Sequence, residues 1–174
     1  TPFDENSVEK IIDLKFDLIK IASCSARDFP LLEAICATGL PTIASTGGLR
    51  IREIDELVSF LRHRAAEFAL MHCVSIYPTP DEACNLSHIK NFIERYNNLK
   101  VGWSTHEPPT DTTQVGIAYS LGARIFERHI GLPTKDIVLN KYSSNPDELK
   151  LWLNAWQKAK SLLGKSDRSN LLEE

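Results

Sequence analysis

Five apolar segments recur along the chain roughly every 20 to 30 residues, and each ends in a serine or a histidine. The segments end at Ser23, Ser45, Ser75, Ser104 and His129. Amphipathic stretches lie between them, such as Ile51 to Leu61, where apolar residues recur at helical spacing. This alternation is typical of β/α units and predicts an α/β fold with a parallel sheet. Right-handed units in series form either an open doubly wound sheet or a closed eight-stranded barrel.

The residues at the strand ends favour the barrel. No G-x-G-x-x-G followed by an acidic residue is present, so a dinucleotide-binding open sheet is less well supported. Hydroxyl groups and one lysine can each donate a hydrogen bond to an anion, which suits a small phosphorylated or carboxylated ligand. Taken singly, each serine is explained as well by capping the next helix. The polar pairs are Lys20 with Ser23, Ser45 with Thr46, Ser75 with Tyr77, Ser104 with His106, and Arg128 with His129.

The stretch from Val101 to Gly131 reads as one complete strand, helix and strand. Its two strands end at His106 and His129, and Thr110 or Asp111 is in position to cap the helix between them. In parallel β/α units, the carboxyl ends of consecutive strands lie side by side on one rim of the sheet, where ligands bind. We therefore expect the two histidines to be neighbours in space.

Length, charge and cysteine content exclude several classes of protein. With 174 residues, 43% of them hydrophobic and 25% charged, the chain has the size and composition of one globular domain. A net charge of -3 argues against nucleic acid or an anionic membrane as the main partner. No apolar run reaches the roughly 18 residues that a membrane span requires. The four cysteines form no C-x-x-C pair, which predicts reduced thiols and a cytoplasmic location.

Five sequence blocks resemble the sialic acid synthase family in order and spacing. They are K-I-A-S at Lys20, A-S-T-G-G at Ala44, H-C-V-S-I-Y-P-T-P at His72, V-G-W-S-T-H at Val101 and F-E-R-H at Phe126. The resemblance implies a (β/α)8 TIM barrel, of which residues 1–164 would be a partial catalytic domain covering about strands 4 to 8. Residues 165–174 would form a polar tail. Because a five-stranded remnant would expose a hydrophobic edge, and because the chain opens without a methionine, we expect the natural protein to be longer.

The same resemblance implies a reaction and a set of site residues. Members of the family condense phosphoenolpyruvate with an N-acetylated amino sugar, using manganese or magnesium. The family's metal ligands fall on His106 and His129, and two neutral imidazoles leave coordination positions open, as a catalytic metal requires. Lys20 lies within an apolar strand, where its charge is costly to bury without an anion, and we expect it to act in catalysis with the two histidines. The phosphoenolpyruvate contacts fall on Lys20, Ser23, Ser45, Ser75, Tyr77 and Ser104.

Two further residues within these blocks are open to more than one interpretation. His72 and Ser75 lie on opposite faces of one strand, so if Ser75 points into the barrel, His72 points toward the helices as a core or supporting residue. Glu127 shares a face with His129. It either supports the site or forms part of a structural ion-pair network with Arg128.

Two positions depart from the family pattern. Family members commonly have aspartate where Thr105 stands, and Asn140 occupies the offset of an acid that contacts the sugar. An amide cannot act as a base and holds a sugar hydroxyl differently, so Asn140 is a predicted substrate contact for an acceptor that is left open. The alternatives are another phosphoenolpyruvate-dependent aldose synthase or metal aldolase, and a non-catalytic sugar-binding relative. The resemblance also allows a homodimer.

Overall fold

A computed structural model describes residues 1–164 and contains a parallel sheet of five strands in chain order. Helices cross over between successive strands, as the sequence predicts for an α/β protein. The elements are α1 (Glu5–Asp13), β1 (Ile19–Ile21), α2 (Phe29–Ala37), β2 (Thr42–Ser45), α3 (Ile51–His63), β3 (Phe68–Cys73), α4 (Ser87–Arg95), β4 (Lys100–Thr105), α5 (Thr113–Ser120), β5 (Ile125–Arg128) and α6 (Pro146–Leu163). The polar tail expected at 165–174 lies outside the described residues.

The sheet is strongly curved, as one ion pair demonstrates. Lys20 is on β1 and Glu127 is on β5, yet the Lys20 Nζ lies 3.1 Å from the Glu127 Oε2. In a flat sheet the first and fifth strands would lie roughly 19 Å apart, which is farther than these two side chains can span. The five strands therefore form a half-barrel with a concave inner face.

The outer face of the sheet packs against the helices and forms the hydrophobic core. Alternate strand residues point outward, and the helices cover them with apolar stripes. Each fully buried valine, leucine or isoleucine side chain stabilises the fold by about 1.5 to 3 kcal/mol relative to exposure. The fully buried outward residues are Ile19, Ile21, Ala44, Leu70 and Trp103, and α3 contributes Ile54, Leu57, Val58 and Leu61.

The two ends of the concave face have opposite character. At the amino end of the strands a cavity of about 270 Å³ is lined largely by apolar side chains, among them Leu18, Ile43, Ala69 and Ile125. At the carboxyl end the inner side chains are hydroxyls, imidazoles and charged groups. The carboxyl end of the concave face therefore offers the denser set of partners for a polar ligand.

The first strand is shorter than its apolar stretch predicts. Phe16 to Ala22 reads as a strand, but only Ile19–Ile21 pairs with β2. Leu18, just before the ladder, is 47% exposed. Apolar residues in this stretch thus extend beyond the paired part of the sheet.

Helix caps follow the sequence prediction in one case and depart from it in another. Asn145 caps α6, as the preference of asparagine for the position before a helix predicts, because its Oδ1 accepts hydrogen bonds from two backbone N–H groups. The prediction that Thr110 or Asp111 is the N-cap of α5 is wrong, since Thr112 holds that position. The Asp111 carboxylate nevertheless accepts from the Thr113 N–H at 3.1 Å, so a side chain close by still satisfies the helix end. None of the helices within residues 1–164 is both long and apolar enough to cross a membrane.

Candidate active site

His106 and His129 lie side by side at the carboxyl end of the sheet. Each directly follows the last residue of its strand, because Thr105 and Arg128 are the final partners of the ladder between β4 and β5. The two ring centres are 5.2 Å apart. The geometry of consecutive parallel strands therefore brings the two histidines together, as the sequence predicts.

The environment of His106 keeps its imidazole neutral and oriented. The residue is 4% exposed, and its Nδ1 donates to the Val74 carbonyl at 3.2 Å. The pKa of His106 is lowered from 6.5 to about 4, chiefly by burial and to a smaller extent by the nearby His129. With Nδ1 carrying the proton, Nε2 keeps its lone pair and is the nitrogen that can bind a metal ion.

Lys20 reaches the same site from the opposite side of the half-barrel. Its anionic partner is Glu127, at 3.1 Å, and the Ser104 hydroxyl donates to the same carboxylate oxygen at 2.8 Å. The anion that the sequence requires beside Lys20 is thus supplied from within the chain. Of the two interpretations of Glu127, the structure supports a place in the site, because Arg128 points to the other side of the sheet and pairs with Glu107.

Three serines and one glycine line the neighbouring strand ends. The Ser23 hydroxyl accepts from the Gly47 N–H at 2.9 Å, whereas the buried Ser45 hydroxyl has no hydrogen-bond partner among residues 1–164. A Cβ at Gly47 would stand 2.5 Å from the Ser75 hydroxyl and 2.9 Å from that of Ser23, so only glycine permits this close approach. The thiol of Cys73 interacts with Ser23, and burial raises its pKa. Sequence reasoning missed Gly47 and Cys73, although both lie within the quoted motifs.

Two tyrosines complete the rim around the histidines. The Tyr77 ring centre is 4.4 Å from that of His106, and the Tyr142 ring centre is 5.1 Å from that of His129. Tyr142 was missed because it lies in an irregular loop far along the chain from the strand ends. The loop comes back to the rim of the sheet because the Ser144 N–H donates to the His129 carbonyl at 2.9 Å. No local pattern in the sequence signals this return.

Asn140 lies in the same loop but is exposed. Its Oδ1 accepts from the Tyr142 N–H at 3.1 Å and so closes a local turn. Within residues 1–164, no hydrogen bond joins the Asn140 side chain to another predicted site residue. Its contact with a sugar stays a prediction.

His72 belongs to the core on the outer side of the sheet, as predicted. It is 6% exposed, its ring stacks on Trp103 with centres 5.1 Å apart, and its Nε2 donates to the Cys84 carbonyl at 2.9 Å. Burial lowers the pKa of His72 from 6.5 to about 4. This histidine therefore serves packing and does not contribute to the concave site.

The donor set at the rim fits a divalent ion with two protein ligands. Two imidazoles bound to one ion have ring centres no more than about 6.5 Å apart, because metal–nitrogen bonds are about 2.1 Å long. The separation of His106 and His129 satisfies this limit. Nowhere in residues 1–164 do three or more histidine, cysteine or acidic side chains form a group that could hold a metal ion. An ion here would take its remaining ligands from water or substrate, as catalytic ions often do.

A half-barrel with hydroxyls, a lysine and paired histidines at its strand ends defines a class: barrel proteins that bind small polar ligands at the carboxyl rim. Within that class, this chain belongs to the NeuB family, whose sequence model matches residues 1–168. The resemblance that the five sequence blocks indicate is thereby confirmed.

Three similar proteins illustrate the relationship. An N-acetylneuraminate-9-phosphate synthase of Drosophila melanogaster is 38% identical over 149 residues, covering 84% of this chain and 40% of that protein. A pseudaminic acid synthase of Campylobacter jejuni is 33% identical over 168 residues, covering 94% and 48%. The crystal structure of a putative spore coat polysaccharide biosynthesis protein E from Chromobacterium violaceum is 43% identical, with a TM-score of 0.93 over 97% of this chain and 50% of that one. The chain spans about half the length of the curated relatives it matches.

Proposed function

We propose that the whole protein to which this chain belongs condenses phosphoenolpyruvate with an N-acetylated amino sugar, giving a nonulosonic acid and inorganic phosphate. The observation that carries the proposal is the cluster at the carboxyl rim, where two histidines 5.2 Å apart adjoin a lysine and several serine hydroxyls. The names of the matched relatives, which include sialic acid and pseudaminic acid synthases, support this reaction class.

We also propose that the five strands are strands 4 to 8 of a (β/α)8 barrel. β1 and β5 form the two edges of the described sheet, and neither pairs with the other within residues 1–164. Next to β1, Phe16 and Leu18 are exposed, and after β5 so are Leu132 and Val138. Further strands would cover the edges and such apolar side chains, which an isolated half-barrel leaves in contact with water.

The anion site for phosphoenolpyruvate would be formed by the hydroxyls around Lys20. Phosphoenolpyruvate carries a phosphate and a carboxylate, and both need hydrogen-bond donors and positive charge. Ser45 supports this role because its buried hydroxyl has no hydrogen-bond partner in the described part of the chain, which is costly unless a ligand or water satisfies it. Lys20 and Ser104 would exchange part of their interaction with Glu127 for the ligand. Ser23, Ser75 and Tyr77 add further donors.

His106 and His129 would hold the metal ion, Mn²⁺ or Mg²⁺, which when bound supplies Lewis-acid polarisation of the sugar's aldehyde oxygen. The chain's own contribution is to present a neutral Nε2 of His106 in a fixed orientation, because Nδ1 is held by the Val74 carbonyl. Tyr77 and Tyr142 pack beside the two rings and form an aromatic wall next to the proposed ion site.

In the proposed reaction C3 of phosphoenolpyruvate attacks the aldehyde carbon of the sugar. Water then adds at C2, and phosphate leaves with the bridging oxygen, so one water is consumed for each carbon–carbon bond formed. Lys20 and the serine hydroxyls would hold the phosphate and carboxylate, so that C3 faces the aldehyde.

The test is phosphate release from phosphoenolpyruvate by the full-length protein, with Mn²⁺ and a panel of N-acetylated amino sugars and phosphorylated aldoses. We expect release with an N-acetylated sugar and at least a tenfold lower phosphoenolpyruvate affinity after Lys20→Met, because a charge-assisted contact is lost. Release with phosphorylated aldoses alone would favour the other synthases. If no acceptor yields phosphate, the enzyme proposals fail and a sugar-binding role is left.

A further inference from the structure

A buried ion pair lies on the outer side of β4 and β5, directly behind the histidine pair. Arg128 Nη1 lies 3.1 Å from Glu107 Oε1, and the two side chains are 3% and 0% exposed. Removing two charges from water costs several kcal/mol per ion, and apolar pairs of similar volume are often at least as stable. A gain in stability therefore does not explain why this pair is here.

The position of the pair along the chain connects it to the site. Glu107 directly follows His106, and Arg128 directly precedes His129. Arg128 is a strand residue, so it points to the opposite side of the sheet from Glu127 and His129, and its ion pair places the Glu107 carboxylate on that same outer side. Each charged residue is therefore joined by one peptide bond to a histidine on the concave side.

His106 and His129 lie just beyond the last paired residues of their two strands. The ladder between β4 and β5 ends at the pair of Thr105 and Arg128. Beyond it, the His106 carbonyl accepts from the Thr79 N–H, and the His129 carbonyl accepts from the Ser144 N–H. The carbonyls of the two histidines are thus held to different loops, so a side-chain link between the strand ends can help to set the spacing of the two rings.

Arg128 provides that link through several donors. Its Nη1 also donates to the Thr105 hydroxyl at 3.2 Å, and its Nη2 donates to the Glu107 carbonyl at 3.4 Å. Its Nε donates to the Ser144 hydroxyl at 2.6 Å, which reaches the loop that holds His129. A planar guanidinium can hold three segments in one fixed geometry, which a lysine cannot do.

We propose that Glu107 and Arg128 form a positioning pair that sets the spacing of His106 and His129, and through it the affinity of the site for a divalent ion. The part concerning the ion rests on the proposed function. The part concerning the spacing of the rings does not.

The test replaces both charges together in the full-length protein, because removing one would leave the other buried alone. We expect the double variant Glu107→Leu with Arg128→Met to keep the urea midpoint of unfolding and the affinity for phosphoenolpyruvate. Its Mn²⁺ affinity, measured by electron paramagnetic resonance, should fall at least tenfold. In the crystal structure of the double variant, the imidazole rings of His106 and His129 should shift by about 1 Å or more, or become disordered, since rigid support is lost. The matched control is the double variant Asp55→Ala with Arg95→Ala, which removes an exposed ion pair between α3 and α4. It should change neither the Mn²⁺ affinity nor the positions of the two imidazole rings.

Unchanged Mn²⁺ affinity and unchanged ring positions in a folded double variant would overturn the inference. If the wild-type protein binds no Mn²⁺, the proposed metal site fails, and the ring positions of the double variant alone decide on the positioning role. Should the double variant not fold, Arg128→Lys carries the test. This variant keeps the positive charge but loses the planar guanidinium with its several donors, so the Mn²⁺ affinity should fall at least threefold. Unchanged Mn²⁺ affinity and unchanged ring positions would contradict the proposal.

Discussion

The molecule contains two histidine pairs of nearly equal spacing but different surroundings. His106 and His129 have ring centres 5.2 Å apart, and His72 and His88 have ring centres 5.4 Å apart. In each pair one imidazole is buried, donates to a backbone carbonyl and has a pKa lowered by burial to about 4. Spacing, burial and pKa thus do not distinguish the pairs.

The neighbouring side chains do distinguish them. His72 stacks on Trp103 and has Phe92 at its edge, so its ring is enclosed by the hydrophobic core. His106 and His129, the rim pair, instead adjoin Lys20, Glu127 and serine hydroxyls. A low pKa is therefore a sign of function only where the surrounding groups can bind a polar ligand.

The largest expected effect is on metal binding at the rim pair. His106→Ala or His129→Ala in the full-length protein should lower Mn²⁺ affinity and activity at least a hundredfold, because each removes one of two protein ligands. Titration with Mn²⁺ followed by electron paramagnetic resonance measures the affinity. His72→Ala is the control and should retain the wild-type value. Equal losses of activity in all three variants, with metal content unchanged, would contradict the assignment.

The next largest effect is on stability and concerns His72, the buried member of the pair in the core. His72→Ala should lower the free energy of unfolding by about 3 kcal/mol, because a buried ring that packs on Trp103 is lost. Urea denaturation measures this change. His72→Phe, which restores a ring without the hydrogen bond, should recover part of the loss. A drop as large for the exposed His129→Ala would remove the contrast between core and rim.

A pH titration of stability sharpens the comparison. The pKa of folded His72 is about 4, against an ordinary value of 6.5, so between these values the unfolded chain binds more protons. The free energy of unfolding should therefore fall by about 2 to 3 kcal/mol for this residue as the pH drops from about 6.5 to 4. In metal-free buffer, the free energy of unfolding of His72→Phe should depend less steeply on pH than that of the wild type. His106 should account for part of the pH dependence that this variant retains. An identical slope in the two proteins would count against the buried neutral state.

The smallest expected effect concerns the loop that the sequence left unassigned. Tyr142→Ala should raise the KM for the acceptor about threefold to tenfold, because the aromatic wall beside His129 is lost. Tyr142→Phe should keep most of the wild-type value, since the ring is retained. Steady-state kinetics with each substrate varied in turn measures both. A change confined to the KM for phosphoenolpyruvate would place Tyr142 at the anion site instead.

The sequence predicts the regular parts of the molecule well, for physical reasons. The period of apolar segments predicts the parallel strands, and strand geometry predicts that His106 and His129 are neighbours. Alternation along β3 predicts that His72 faces the helices. These inferences depend on local periodicity, which tertiary contacts do not override here.

What the sequence could not predict depends on contacts between distant residues. Lys20 and Glu127 meet because the sheet curves, and no pattern within either strand specifies that pairing. Tyr142 reaches the rim because Ser144 is hydrogen-bonded to His129. The Glu107–Arg128 pair is likewise visible only in three dimensions. Irregular loops and side-chain networks carry no period from which they can be predicted.

The internal salt bridge of Lys20 has a consequence for selectivity. Any incoming anion must compete with a carboxylate that is already tethered within reach of the ammonium group. A weakly held ion such as chloride gains little from that exchange, whereas a molecule with two acidic groups can engage the lysine and the surrounding hydroxyls together. We therefore expect simple inorganic anions to bind only weakly beside Lys20.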